Sequence, residues 1–496
     1  MSDATSQVEE SAGGLTELDE FSDMLKQKIK PRGKVAETEV DNAVVSLVQE
    51  ALGDNSLIAD DVIDTLDAIL AKLDEQLTVQ VNEIIHNEEF QKLESSWRGL
   101  AYTLDNTRTD SSMKIKVFNA SKDELNAQFR QYRGDKWITS PLYKKIFQEE
   151  LGTLGGKPYG CLVGDYHFGM DSPDVTFLRE ISRIAAVAHA PFISAASPEL
   201  LGMDSYNEMD VPDDIGSIFD RPEYAKWNGM RESENSRYLA LTLPRVLARE
   251  PYSQNTNSVV EEFNFEEETD GHDGMKYGWM NSAHAMAVNI NRAHKAHGWT
   301  VQIRGVQSGG EVLNLPSHTF DTGDGGKDLK CPTEVAIPDS REKELSDAGL
   351  IGLLHRKNTD KAAFIGAQTL YKPTQRMDAE ATASDNLSSR LPYIFAVSRF
   401  SHFLKCMMRD KIGKSDDRIK IEKDLQTWIN KYVHANPETA NDLDKAKKPL
   451  AGAKVEVIED EENPGYYTSN FYLKPHFQLE GVNVGMSLVS KIPNGK

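Results

Sequence analysis

Tyr159-Gly-Cys-Leu-Val163, the run from Ser172-Pro173 to His189, and Phe192-Ile-Ser-Ala195 are the stretches that decide the fold class. The first and third are short apolar segments of strand length. Between them a serine followed by proline marks a helix start, because proline lacks the N–H that a first helical turn leaves unbonded. Strand, helix and strand in such close order make a βαβ unit, and these crossovers are nearly always right-handed.

Outward from this unit, apolar spacing predicts further strands at Arg237–Leu243, Thr300–Val306, Leu350–His355 and Ala362–Leu370, the last two joined by a turn at Lys357–Lys361. Towards the N-terminus, Val62, Leu66, Ile69, Leu73, Leu77, Val81 and Ile84 keep a 3.6-residue period within an amphipathic helix over Ile58–Phe90, with another at Ala43–Leu52. Met113, Ile115 and Val117 alternate with Lys114 and Lys116, the pattern of a half-buried strand, and Ser121-x-x-Glu124 reads as a capping box opening a helix. Towards the C-terminus, helices near 387–411 and 417–434 precede strands at Ala453–Ile458, Thr468–Lys474 and Val482–Val489. In the last, Val482, Val484, Met486 and Leu488 alternate with polar or small residues, so one face is buried. The fold class is therefore α/β, or mixed α+β, with helices leading and strands trailing. Its parts are a segment 1–40 with one amphipathic helix, a helix-rich region 41–150, a central α/β domain 151–380, and a C-terminal part 381–496 of helices and strands.

The chain has 496 residues and a net charge of −22, and that sign excludes general nucleic-acid binding, which needs cations to displace counterions from phosphate. With 39% apolar residues and 34 glycines it can build a sizeable core. No run approaches the ~18 apolar residues of a membrane helix, and the N-terminus lacks the basic and apolar regions of a signal peptide. The cysteines Cys161, Cys331 and Cys406 are far apart and form no CxxC, which fits free thiols in a reducing cytoplasm.

Motifs of enzymatic chemistry fail one by one. Gly323–Asp328 has a Gly-Lys step, but Asp321 stands where a phosphate loop needs glycine and Asp328 where it needs Ser or Thr. A solvated turn is the expectation there. No GxSxG elbow occurs. Asp165 and His167 form a possible strand-end pair with no nucleophile beside them. His284, His294 and His297 lie on one helix between Gly278 and Gly298, but no cysteine is near and no HExxH is present, so capping or hydrogen-bonding histidines are expected rather than a metal centre. The expectation is a non-enzymatic protein without cofactors.

What stands out concerns surfaces. Leu15, Leu18, Phe21 and Leu25 form an apolar stripe on a short helix between Gly13-Gly14 and Pro31, and such a helix needs a groove or neighbour to lie against.

Longer strings carry a resemblance. They are Glu94-Ser-Ser-Trp97-Arg98-Gly99-Leu100, Phe192–Gly202, Arg231–Arg237 with Leu241-Thr-Leu-Pro-Arg245, Gly278-Trp-Met-Asn281, Pro316-Ser-His318, Leu391–Ile394 running to Met407–Asp410, and Phe477–Gly481 with Leu488–Lys491. With them, from about residue 90 onward, the chain closely resembles the large subunit of the bacterial type VI secretion contractile sheath, the TssC/VipB family. The resemblance implies a structural subunit whose C-terminal part is like the phage tail sheath core. It implies pairing with a small sheath subunit (TssB/VipA), helical polymers of six-fold rings around an Hcp inner tube on a baseplate, contraction that drives the tube outward, and recycling by a ClpV-type AAA+ ATPase. It further implies that the ATPase reads the helix bearing Leu15, Leu18, Phe21 and Leu25. Strands bearing Phe471 and Leu473, and Val482, Val484, Met486 and Leu488, would join an inter-subunit sheet. The alternatives are a sheath subunit of another contractile tail-like particle and, remotely, an α/β metalloenzyme using His284, His294 and His297.

Overall fold

The structure is a computed structural model. It describes residues 62–476 and 478, apart from 213, 254–262, 264, 414–416, 435, 437–438, 460–466 and 477, together with 33, 38 and 42. The helices expected at Ala43–Leu52 and over 15–29, and the strand expected at Val482–Val489, lie outside the described residues.

The chain divides into two compact units. The first comprises Met1–Asn87 and Pro251–Glu268. Its described helix α1 (Val62–Ile85) is clasped near its end by Asn82, whose amide donates to Glu266 O at 3.3 Å and accepts from Glu268 N at 2.9 Å.

The second unit, Glu88–Glu250 and Thr269–Lys496, is built on the expected βαβ motif. Strand β1 (Leu162–Phe168), helix α4 (Ser172–Ala188) and strand β2 (Phe192–Ala196) follow helices α2 (Glu88–Asp105) and α3 (Lys122–Gln131). Proline occupies the first turn of α4, and His189 ends the helix in the left-handed region at φ 50°. The β3 strand (Leu239–Leu243) lies parallel to β2, and β9 (Ile351–His355) parallel to β3. Then β10 (Ala362–Phe364) and β6 (Glu311–Val312) complete a six-stranded sheet in antiparallel fashion, in the order β1-β2-β3-β9-β10-β6.

Strands β2 and β3 are buried on both faces, as parallel strands between covering helices must be. Their alternation sends Phe192, Leu239 and Leu241 to one core with Phe177 and Leu178 of α4. Ile193 and Ala240 go to a second core with Met286 and Ile290 of helix α5 (Ala283–His297).

The third core closes the C-terminal part. Trp299 stacks on Phe400 of helix α7 (Leu391–Lys411) at 4.2 Å between ring centroids, and Trp428 of helix α8 (Arg418–Ile429) meets the edge of Phe400. Leu450, Val455 and Val457 of strand β11 (Leu450–Glu459) fill the same core, and β11 pairs antiparallel with β12 (Tyr467–Pro475).

Five expectations need correction. The first strand runs over Leu162–Phe168 rather than Tyr159–Val163, and the strand expected over Ala362–Leu370 ends at Phe364, because the backbone at Ala367 and Thr369 bonds to Leu391 and Ser389 instead of to the sheet. Met113–Val117 carries the strand pattern but joins no ladder among the described residues. Thr300–Val306 is irregular, because Val301 and Ile303 are buried from a loop rather than from a sheet. The long helix over Ile58–Phe90 breaks at His86–Asn87 into α1 and α2. The capping box at Ser121 is present, with Glu124 N donating to Ser121 Oγ at 3.1 Å and Ser121 N to Glu124 Oε2 at 2.8 Å.

Candidate assembly surfaces

The polar residues that sequence reading weighed as catalytic fasten elements to one another. Asp165 on β1 meets Nε2 of His284 at 3.5 Å, while His284 Nδ1 lies 3.0 Å from the Thr103 hydroxyl on α2. Burial opposes ionisation of Asp165, but the adjacent His284 ring and Ser96 outweigh it and hold the carboxyl below its ordinary range. The sequence pairing of Asp165 with His167 is therefore replaced by Asp165 with His284. Burial, reinforced by the nearby Arg245 cation, pushes His167 down to about 4, so its imidazole stays neutral.

His284 stands in the first turn of α5, whereas His294 and His297 stand near its end. At a rise of ~1.5 Å per residue, about 15 Å separates His284 from His294, too far for one metal ion. Among the described residues no group of three or more His, Cys, Asp or Glu is placed to hold a metal.

The long sequence strings resolve into further ties of this kind. Glu94 accepts from Arg249 Nε at 2.7 Å and Nη2 at 3.2 Å. Gly99 lies so close to His284 that an added Cβ would sit 2.4 Å from the ring. Arg245 forks onto Glu334 at 2.8 and 2.7 Å, Arg237 reaches Asp385 at 2.8 Å, and Asn281 donates to Tyr166 O at 3.0 Å. Tyr393 accepts from Gln478 N at 2.8 Å, and Arg409 binds the carbonyls of Leu151 and Thr153. Each tie joins residues remote in sequence. A cleft of about 300 Å³ lined by Asp214, Phe219, Arg231, Glu344 and Lys372 has charges of both signs.

The β11–β12 hairpin shows a different kind of feature. Val455 N donates to Gln426 Oε1 at 2.8 Å, Val457 N donates to Glu422 Oε2 at 3.0 Å, and Gln426 Nε2 donates to Ala453 O at 3.1 Å. Side chains of α8 thus occupy the outer edge of β11. Those same residues face Leu473, Phe471 and Ser469 across the ladder. In an antiparallel pair, residues opposite one another without mutual bonds turn both backbone polar groups outward. The N–H and C=O groups of Ser469, Phe471 and Leu473 therefore point to the outer edge of β12, where no backbone partner stands among the described residues.

Of the residues expected to lace subunits, Phe471 and Leu473 lie on β12 with side chains turned to the core and backbones to this edge. Val482, Val484, Met486 and Leu488 lie outside the described residues, as do Leu15, Leu18, Phe21 and Leu25 of the expected ATPase-recognition helix. Sequence reading missed Gln426 and Glu422, although two polar residues four apart beside the buried Ile421, Leu425 and Ile429 are a signal for such an edge seal.

Comparison with known proteins places this architecture among contractile tail sheath proteins. The family model described as the EvpB/VC_A0108 tail sheath N-terminal domain matches residues 67–371, and the one described as the EvpB/VC_A0108 tail sheath gpW/gp25-like domain matches 380–492. The type VI secretion system sheath protein TssC1 of Pseudomonas aeruginosa is 54% identical over 477 residues, 96% of each chain. The chain belongs to this family of type VI secretion sheath large subunits. Two solved structures are more distantly similar, each at 12% identity. An anti-feeding prophage baseplate chain is matched with TM-score 0.38 over 79% of this chain and 86% of that one. A chain of the contracted anti-feeding prophage sheath is matched with TM-score 0.30 over 64% and 68%. Among the described residues, no helix is long and apolar enough to cross a membrane.

Proposed function

We propose that this chain is a non-enzymatic, cytoplasmic wall subunit that pairs with a small sheath subunit, polymerises on a baseplate around an Hcp inner tube, and stores the energy of contraction at assembly. Recycling by a ClpV-type AAA+ ATPase through Leu15, Leu18, Phe21 and Leu25 completes the reading. The observation that carries it is the unequal hairpin, with β11 sealed by Gln426 and Glu422 and β12 without a backbone partner at Ser469, Phe471 and Leu473 among the described residues. A strand from a neighbouring subunit added there gains main-chain hydrogen bonds with little demand on side chains. It also covers an edge that would otherwise invite aggregation. Two packings differing by only ~1 kcal/mol per subunit, less than the few kcal/mol of ordinary two-state elements, become decisive when a whole laced tube switches together.

Electron microscopy of the chain expressed alone and with a small-subunit gene tests the proposal, with Ser469→Pro as the variant. Proline removes an outward N–H and is tolerated on an edge strand, so the monomer should keep its circular dichroism while tubes disappear. Tubes from the Ser469→Pro protein would refute the lacing. Tubes from the wild-type chain alone would replace the two-component sheath with a single-component one.

A further inference from the structure

The charged cleft beside the helix Ala225–Arg231 holds a cation with no anion to answer it. Arg231 lines this cleft and is only 5% exposed. Its Nε donates to Leu370 O at 2.9 Å, which anchors the guanidinium. Nη1 and Nη2 meet no acceptor and no carboxylate among the described residues, yet neither is sealed from solvent, so their remaining access is through the cleft. Burial pulls the group down to about 10, with no anion beside it to hold it up. Gly349 makes room for it, since φ there is 80° and an added Cβ would stand 2.8 Å from Arg231 Nη2. A buried charge is ordinarily paired, because the loss of water is offset only by an opposite charge at close range.

The rest of the cleft says which anion fits. Lys372 is exposed at its edge and tied to Arg231 through the backbone, with Lys372 N donating to Arg231 O at 3.0 Å. Glu344 is already engaged by Arg341 at 2.8 Å and by Ile215 N at 3.2 Å, and Asp214 by Gly216 N at 2.8 Å. Asp220 and Asp347 are exposed and pair with no cation among the described residues. Four carboxylates around two cations disfavour a dianion such as phosphate. A single carboxylate matches the parallel N–H bonds that Nη1 and Nη2 can offer. A cation carried next to it would answer Asp220 and Asp347. The volume of about 300 Å³ suits a side chain or a free amino acid rather than a nucleotide. We propose that this cleft binds a carboxylate with a cationic group beside it, Arg231 and Lys372 taking the carboxylate and Asp220 and Asp347 facing the cation. A Glu-Lys step in a partner's peptide segment and a free amino acid both carry this chemistry. The site shares no residue with the β11–β12 hairpin, so it stands or falls separately from the strand lacing.

Isothermal titration of the full-length protein tests the proposal. The probes are acetyl-Gly-Glu-Lys-Gly-amide, the same peptide with Gln in place of Glu, free lysine and inorganic phosphate. Saturable binding is expected for the Glu peptide or for free lysine, and binding at least about tenfold weaker for the Gln peptide and for phosphate. Binding of the peptide alone identifies a protein segment as the source, and binding of lysine alone a free amino acid. Arg231→Gln should weaken the bound probe by at least about tenfold. Lys372→Gln, at an exposed position where folding is not at stake, should weaken it about threefold and decides the matter if the Arg231 variant does not fold. No saturable binding, equal binding by the Gln peptide or phosphate, or unchanged affinity in either folded variant would each overturn the proposal.

Discussion

Replacing Gly99 by alanine sets two effects of opposite sign against each other. Alanine in a helix interior is favoured over glycine by about 1 kcal/mol. The structure reverses that preference here, because the new Cβ would lie 2.4 Å from His284 Cδ2 and 2.8 Å from Nε2. The ring must move, and forcing such a shift in a packed site costs about 1–3 kcal/mol. Movement also breaks the contact from His284 to Thr103, worth about 1 kcal/mol. The net expectation is destabilisation by about 1–3 kcal/mol. Gly229, in the helix Ala225–Arg231, supplies the control, since an added Cβ there meets nothing within 4 Å. Gly229→Ala should stabilise by up to about 1 kcal/mol. Urea unfolding followed by far-ultraviolet circular dichroism reads both. The reasoning is refuted if Gly99→Ala raises the midpoint as much as Gly229→Ala does.

Gln426→Leu keeps the side-chain size but removes two bonds to β11, so it should cost about 1–3 kcal/mol in the same assay and also promote aggregation through the opened edge. Asp165 is held below its ordinary pKa, so its contribution is present above about pH 4 and is lost as pH falls through the lowered value. Asp165→Asn should therefore lower stability at neutral pH and flatten the acid limb of a stability–pH curve. The neutral His167 works in the opposite charge state. The unfolded chain takes up its proton near pH 6.5 and the folded chain only near about 4, so stability falls as pH drops between these values. His167→Asn should remove that slope, measured by unfolding midpoints at pH 7 and pH 5.

The central sheet was legible because its strands are short apolar runs bounded by turn residues, and Ser172-Pro173 announces the crossover helix unaided. Met113–Val117 misled because alternation reports which side chains can be buried, not whether a neighbouring backbone is there to pair. Thr300–Val306 misled for a related reason, since Val301 and Ile303 reach their cores from a loop. The site residues were harder. No local pattern links Asp165 to His284 or Ser96, because each tie depends on tertiary packing of α2 and α5 against β1. Edge status is likewise invisible in a strand's own sequence. β11 and β12 both alternate, and only Gln426 and Glu422 on another element make them different.

That difference fixes a valence. With one flank taken up by its own helix, the hairpin leaves, among the described residues, a single side for added strands. On the lacing proposed above, such a subunit would saturate at each junction, and a tube would grow by repeating one bond without branching into sheets.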